Sequence, residues 1–418
     1  MACGGVTGAK PRPGGRKLRV LFVSNGHGED DIACKILDAL HAQIGGAISL
    51  AAWPMVGHGK AFQNRDVEVI GPPNHLPSEG FGTVSLGLFL RDVWAGFIGT
   101  YLRQVQFARS LAGQFDLLVG VGDIVPLAVS KFSGIPICFT SCAKSAHYGG
   151  RDGHNGLERA LMRAQNCLAV FPRDHLTAER LAPAIPKVHD LGNPMMDGLA
   201  AVELPAIKGT GKVNLAVLAG SRGDATVNTQ VLLDAIPRIA TNAPDPTALR
   251  FLFAAHPAVD FTAIATAMVG REGWQKDDWD QPLTAAGWLC FLHQSGAKAL
   301  LVTTRFADIL QAADLAIGMA GTANEQAIGL GIPLIALPGT GNQGEGFQKM
   351  KMAYFGPSAM ACPLKPGPIA EAVAHILSDP ELAAIMGQAG RDRMGSPGAS
   401  EAIAKAIAAA LTRIGSQQ

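Results

Sequence analysis

The chain has 418 residues, of which 48% are hydrophobic and 17% charged, and its formal net charge is +1. That composition excludes a disordered chain, and near-neutrality without a Lys/Arg run excludes a polyanion binder, so no nucleic-acid partner is expected. The length suits two domains of ordinary size rather than one core.

Residues 1–16, MACGGVTGAKPRPGGR, combine Gly, Pro and basic residues without an apolar stretch and read as a flexible tail, not a signal peptide. Apolar runs then alternate with helical patterns. LRVLFV from Leu18, ISLAAWPM from Ile48, VEVIG from Val67, LLVGVG from Leu117, PICFTS from Pro136, CLAVFP from Cys167 and VHDLG from Val188 are predicted strands. Several are apolar without interruption, as buried parallel strands are, and the intervening helices imply a doubly wound sheet. One helical stretch, Ser85–Leu111, spaces Leu86, Leu90, Val93, Trp94, Phe97, Tyr101 and Val105 along one stripe, punctuated by Arg91, Arg103 and Arg109. Such a stripe is read either as core packing or as an acceptor groove or surface that dips into an anionic membrane. Its longest uncharged window, Val93–Leu102, falls well short of the ~18 residues a membrane span requires.

GNPMMDGLAAVELPAIKGTGK, Gly192–Lys212, carries two prolines and four glycines and is the best linker in the chain. Beyond it VNLAVLAG from Val213, LRFLFAAH from Leu249, KALLVTT from Lys298, LAIGMA from Leu315 and PLIALPG from Pro333 are further predicted strands. DDWD, Asp277–Asp280, has a DxD-like pattern but lies in Trp-rich, poorly periodic sequence without a preceding strand, and reads as a solvated loop. Histidines do not cluster at zinc spacings, so no metal is expected. The seven cysteines include no CxxC pair, which suits a reducing cytoplasm. The chain closes in helical sequence from Pro368, ending with SEAIAKAIAAALTRIG. The expected class is α/β, with a tail at 1–16, a Rossmann-like domain at 17–196, a linker at 197–212, a second Rossmann-like domain at 213–395 and a terminal helix at 396–418. Ligands of open α/β sheets bind outside the carboxyl ends of the strands, so the two domains are expected to face each other across a cleft.

LFVSNGHGED, Leu21–Asp30, opens like a dinucleotide fingerprint and then departs from it: Asp31 stands where the third glycine belongs, and no acid ends the second strand. His27 titrates near neutrality and can act as base or as donor to a phosphate, while Asn25, Gly26 and Gly28 let the loop approach a ligand. A solvent-exposed loop histidine is the alternative. Asp30 or Asp31 can cap or orient it. Asp123 follows LLVGVG at a strand end, where a carboxylate serves either as general base or as N-cap of the next helix. The segment GMAGTANEQAIGLGIPLIALPGTGNQGEGFQ, Gly318–Gln348, holds a strand, a Gly-Thr turn and a helix starting near Ala323 whose free N–H groups suit a pyrophosphate. Glu325 in its first turn is placed either for a ribose diol or to complement the helix dipole. A second glycine-rich loop follows the next strand. His256 ends FLFAAHP and reads as a strand-end histidine or a cleft residue.

The order G-T-x-x-E, apolar helix, G-[IL]-P and a loop of glycine and glutamine resembles the nucleotide-sugar site of inverting GT-B glycosyltransferases. Their members include lipid-A-disaccharide synthase, the N-acetylglucosaminyltransferase of peptidoglycan-precursor synthesis and the monogalactosyldiacylglycerol synthases. LAGSRGDA (Leu218–Ala225), LGNPMMDGL (Leu191–Leu199) and VGVGDIVPLAVSKFSGIPICFTS are similar to the donor-domain G-S-R loop, the hinge and the catalytic-aspartate strand of lipid-A-disaccharide synthase and its related proteins. The resemblance runs from about Leu18 and implies a GT-B fold whose C-terminal helices pack back toward the N-terminal domain. It puts Glu325 on the nucleotide ribose, Gly321 and Thr322 at the diphosphate with Ser221 and Arg222 nearby, and Gln343 and Gln348 against sugar hydroxyls or ribose. Asp123 matches the general base, and His27 stands beside it as the second catalytic candidate. The implied activity is inverting, metal-independent transfer from a UDP-sugar, with no other cofactor, to a lipid or lipid-linked acceptor in glycolipid biosynthesis. The implied setting is the inner face of a bacterial membrane, held peripherally, with Trp94, Phe97 and Tyr101 toward acceptor or membrane; a homodimer stays open. Two readings compete: a UDP-N-acetylglucosamine 2-epimerase, whose usual T-G-H-R-x-E stretch is here AGSRGD, and a non-catalytic nucleotide-sugar-binding protein.

Overall fold

The computed structural model describes residues 16–72, 97–200, 207–209, 211–220, 224–243, 245–255, 259–340 and 344–417. They form two units: one reaches Asp197 and resumes at Pro397, the other comprises Gly198–Ser396.

In the first unit the strands are β1 (Leu18–Ser24), β2 (Ile48–Pro54), β3 (Glu68–Val69), β4 (Leu117–Val121), β5 (Ile137–Ser141) and β6 (Cys167–Pro172). They lie in the order β3-β2-β1-β4-β5-β6, every pair parallel. Because helices cover both faces of a parallel sheet, the central strands are apolar on both sides; all of β4 and β5 is buried. Val188 does not open a strand: VHDLG meets β6 through a single isolated bridge, Val170 to Val188. Strand order reverses between β1 and β4, the position where such sheets bind ligands.

The first unit is completed by the C-terminal helix Ala399–Gln417, which packs on the helix His27–Ile44. Its start is fastened to the point where the chain leaves the unit: the Asp197 carboxylate accepts from Gly398 N at 2.5 Å and Ser400 N at 2.7 Å. Asp197 thus serves as an N-terminal cap supplied from about two hundred residues upstream in sequence.

The second unit holds β7 (Val213–Leu218), β8 (Leu249–Ala255), β9 (Trp274–Asp277), β10 (Leu289–His293), β11 (Lys298–Thr303), β12 (Leu315–Gly318), β13 (Leu334–Ala336) and β14 (Ala359–Ala361). Their order is β14-β13-β12-β7-β8-β11-β10-β9. From β11 to β14 the pairs are parallel and repeat the order of the first sheet, with the reversal between β7 and β12. β9 and β10 add an antiparallel edge. Asp277 of the DDWD segment therefore ends a strand, against the expectation of a loop, and Trp274 and Trp288 are core residues. Edge strand β9 buries only its Trp274 well, which is why no alternation marks it in sequence. Among the described residues no helix is long and apolar enough to cross a membrane.

Candidate functional site

At the reversal point of the first sheet, β1 ends in Ser24 and the chain turns through Asn25 and Gly26 into a helix. The stretch read as a loop stops there: His27 and Gly28 belong to the first turn of the 18-residue helix His27–Ile44. A glycine this early costs a long helix little. Gly26 has an extended backbone, and a Cβ there would fall 2.3 Å from the Glu29 carboxylate. Asp30 is 4% exposed and accepts from Ser24 Oγ at 2.5 Å. Burial pushes its carboxyl up to about 7, with the Glu29 and Asp31 charges adding to the rise and the Ser24 hydroxyl opposing it.

From the neighbouring strand β4 comes Asp123, half-buried. Its Oδ1 accepts from Asn25 Nδ2 and from Val125 N, both at 2.9 Å. The two roles weighed for this residue coexist: Asp123 caps the helix Ile124–Ser133 and faces the β1 turn across the reversal point. Burial raises its carboxyl above the ordinary carboxylate range; Val125 N–H, the Asn25 amide and Lys144 pull it down, and Glu158 pushes with burial. A carboxylate made more basic while still held by two donors is chemically suited to take a proton.

Sequence reasoning missed the network beyond β5. Ser141 Oγ lies 2.7 Å from His154 Nε2, and His154 Nδ1 lies 2.9 Å from the main-chain oxygen of Asp152. Since a carbonyl can only accept, Nδ1 carries the proton and Nε2 accepts from the serine. Burial lowers the imidazole pKa and keeps it neutral, against Glu158 and Asp152, which raise it. Arg159 donates to both Asp152 oxygens and to His154 O, and Gly153, at φ 80°, sits so close to Ser145 that a Cβ would lie 2.5 Å from its carbonyl oxygen. The result is a loop folded on itself that carries Lys144 and leads into Glu158, the two charges that act on Asp123. Its only sequence signal is a serine closing a buried strand followed by the glycine-rich GGRDGHNG.

The second unit builds its reversal point from glycine and amides. β12 ends in Gly318, where a Cβ would fall 1.9 Å from Asn324 Oδ1, so the strand and the helix Thr322–Gly329 approach as closely as they do only without a side chain. Gly321 caps that helix with no side-chain hydrogen bond, so no capping side chain covers its first-turn N–H groups. Asn228 donates to Ala219 O at 2.8 Å and accepts from Thr340 N and Oγ1 at 3.1 and 2.7 Å, joining the turns after β7 and β13. The helix rests on the helix Pro380–Met394 at backbone distance: a Cβ at Gly390 would lie 2.1 Å from Ile328 O.

Glu325, in the first turn of the helix Thr322–Gly329, has a partner from another helix. It is buried, and Lys351 Nζ lies 2.5 Å from its Oε1. Gln348 donates its amide hydrogens to Ala336 O at 2.5 Å and Cys362 O at 3.2 Å, tying the ends of β13 and β14. Ser221, Arg222, Gln343, His256 and Trp94 lie outside the described residues, as do the side chains of His27, Phe97 and Tyr101. Of the stripe only Val105 has a described side chain, and it is half-buried; on other positions of the same helix Phe107 meets Trp53 edge-on at 4.8 Å, Ala108 is buried and Leu102 is exposed.

No family model matches this chain, and no curated protein does. Solved structures do. A Listeria monocytogenes protein described as a UDP-N-acetylglucosamine 2-epimerase is 13% identical, with a TM-score of 0.59 over 96% of this chain and 98% of that one. The co-structure of S. aureus MnaA with UDP is 12% identical, with a TM-score of 0.58 over 94% and 97% of the two chains. MurG of Acinetobacter baumannii is 13% identical, with a TM-score of 0.58 over 94% and 99%. The two doubly wound units and these likenesses define a GT-B fold.

Proposed function

We propose that this protein is an inverting glycosyltransferase that moves a sugar from a UDP-sugar to a lipid-linked acceptor, in the manner of lipid-A-disaccharide synthase-related proteins. The observation that carries the reading is Asp123: a half-buried carboxylate at the strand-order reversal, raised by burial and aimed by Asn25. In this scheme Asp123 takes the proton of the acceptor hydroxyl while that oxygen bonds to the anomeric carbon. The bond from that carbon to the diphosphate breaks, and its electron pair leaves on UDP. The uncapped N-terminus at Gly321 and Thr322 receives the charge of the diphosphate, and Glu325 accepts from the ribose diol. No cofactor besides the donor enters the scheme. The lipid acceptor and a peripheral place on the cytoplasmic membrane follow from the sequence resemblance.

A 2-epimerase is the second reading, favoured by the likeness to two proteins of which one is described as an epimerase and the other, MnaA, was solved with UDP. It needs no acceptor, so UDP release that depends on an added lipid fraction separates the two. Donor binding is tested by Glu325→Gln: UDP affinity measured by calorimetry should fall roughly 10- to 150-fold, the equivalent of about 1.5–3 kcal/mol for a charged hydrogen bond. Unchanged affinity would take Glu325 out of the nucleotide site.

A further inference from the structure

Glu325 and Lys351 stand on different helices, Thr322–Gly329 and Glu345–Phe355, and meet at 2.5 Å with side-chain exposures of 2% and 14%. A carboxylate so far from water is costly unless it is paired and hydrogen-bonded. The first turn of a helix already favours an anion through the dipole, so a second positive group brought from elsewhere fixes direction as well as charge. Lys351 is itself held from its own helix. Phe347, four residues earlier, places its ring 5.5 Å from Nζ, and Gln348, three residues earlier, is anchored to the ends of β13 and β14. The ammonium is thereby referenced to the strand ends that border the site, and it hands that reference to Glu325.

We propose that Lys351 is a positioning residue for nucleotide recognition: it holds the Glu325 carboxylate ionised and oriented toward the ribose diol. This rests on the reading that Glu325 meets the ribose. It assigns Lys351 no contact with the nucleotide, and makes preference for a ribose over a deoxyribose depend on a residue that acts one step away.

The test compares UDP with its 2′,3′-dideoxy analogue by calorimetry in the wild type, Glu325→Gln, Lys351→Met, Lys351→Arg and the double variant Glu325→Gln/Lys351→Met. The wild type should prefer UDP at least tenfold. Glu325→Gln and Lys351→Met should each lose that preference, Lys351→Arg should keep most of it, and the double variant should bind UDP within threefold of Glu325→Gln, because the two residues act as a unit. If Glu325→Gln loses the preference while Lys351→Met keeps it, the pair is structural and the proposal falls. If Glu325→Gln keeps it, the ribose reading itself has failed and takes the proposal with it. Should Lys351→Met not fold, the double variant, which leaves no unpaired charge, decides: UDP binding more than threefold weaker than Glu325→Gln would mean that Lys351 touches the nucleotide directly.

Discussion

At the reversal point of the first sheet two polar side chains reach for each other, Asn25 and Asp123, with Glu29 and buried Asp30 close behind. At that of the second the strand ends offer Gly318 and Gly321, main-chain N–H groups and a carboxylate already matched by an ammonium. The same strand order therefore presents two chemistries. One unit gathers carboxyl groups whose protonation burial has shifted upward, the other an ion-paired carboxylate and a helix start without a side-chain cap. A fold supplies the position and local residue choice supplies the reaction, so a likeness in topology carries no activity with it.

The sharpest way to break this contrast is to remove the proton acceptor alone. Asp123→Asn keeps an oxygen to accept from Val125 N, so the helix remains capped, but the side chain no longer accepts a proton. Turnover, followed as acceptor-dependent UDP release, should fall at least a hundredfold, within the ~10²–10⁴ range typical of a general base, while UDP affinity stays at the wild-type value. Wild-type turnover would leave Asp123 with its capping role only.

The contrast was partly legible in the sequence. Uninterrupted runs such as LLVGVG and LRFLFAAH read directly as buried parallel strands, and Asp123 and Glu325 could be placed at strand and helix ends because those ends follow from the runs. What stayed hidden depends on distance in space. Lys351 is 26 residues from Glu325, and His154 is 13 from Ser141; neither spacing has a local signature. The NGHG stretch misled because glycines around a histidine carry loop chemistry, whereas tertiary packing of an 18-residue helix overrides their weak propensity in the first turn. β14 escaped because three residues ending against solvent make no pattern.

If the second unit's strand-end geometry owes its shape to glycine, a side chain there should disrupt it. At Gly390 a Cβ would stand 2.1 Å from the Ile328 carbonyl, a main-chain atom that cannot step aside as a flexible side chain would. Gly390→Val should destabilise the protein by about 3 kcal/mol, the upper part of the range for overpacking, and weaken UDP binding as the helix Thr322–Gly329 is pushed off β12. An unchanged urea midpoint would mean that the two helices separate at no cost, and the close seat would then not shape the site.

The first unit's acidity can be sharpened through Asp30, which touches no proposed ligand. Its carboxyl titrates at about 7 in the folded chain against 3.8 for the unperturbed group, burial being the main cause. Across that interval the folded chain retains a proton that the unfolded chain has released, so folding stability falls as pH rises. At 1.36 kcal/mol per pKa unit, the loss attributable to this one group between pH 5 and pH 7 comes to about 2 kcal/mol. Asp30→Asn keeps an acceptor for Ser24 Oγ and removes the titration. Relative to the wild type, its stability from urea denaturation should therefore climb by about 2 kcal/mol over the same pH interval, the variant gaining most at pH 7. Parallel stability curves for the two proteins would show that Asp30 is solvated in the folded state and that the acidity of the first unit resides in Asp123 alone.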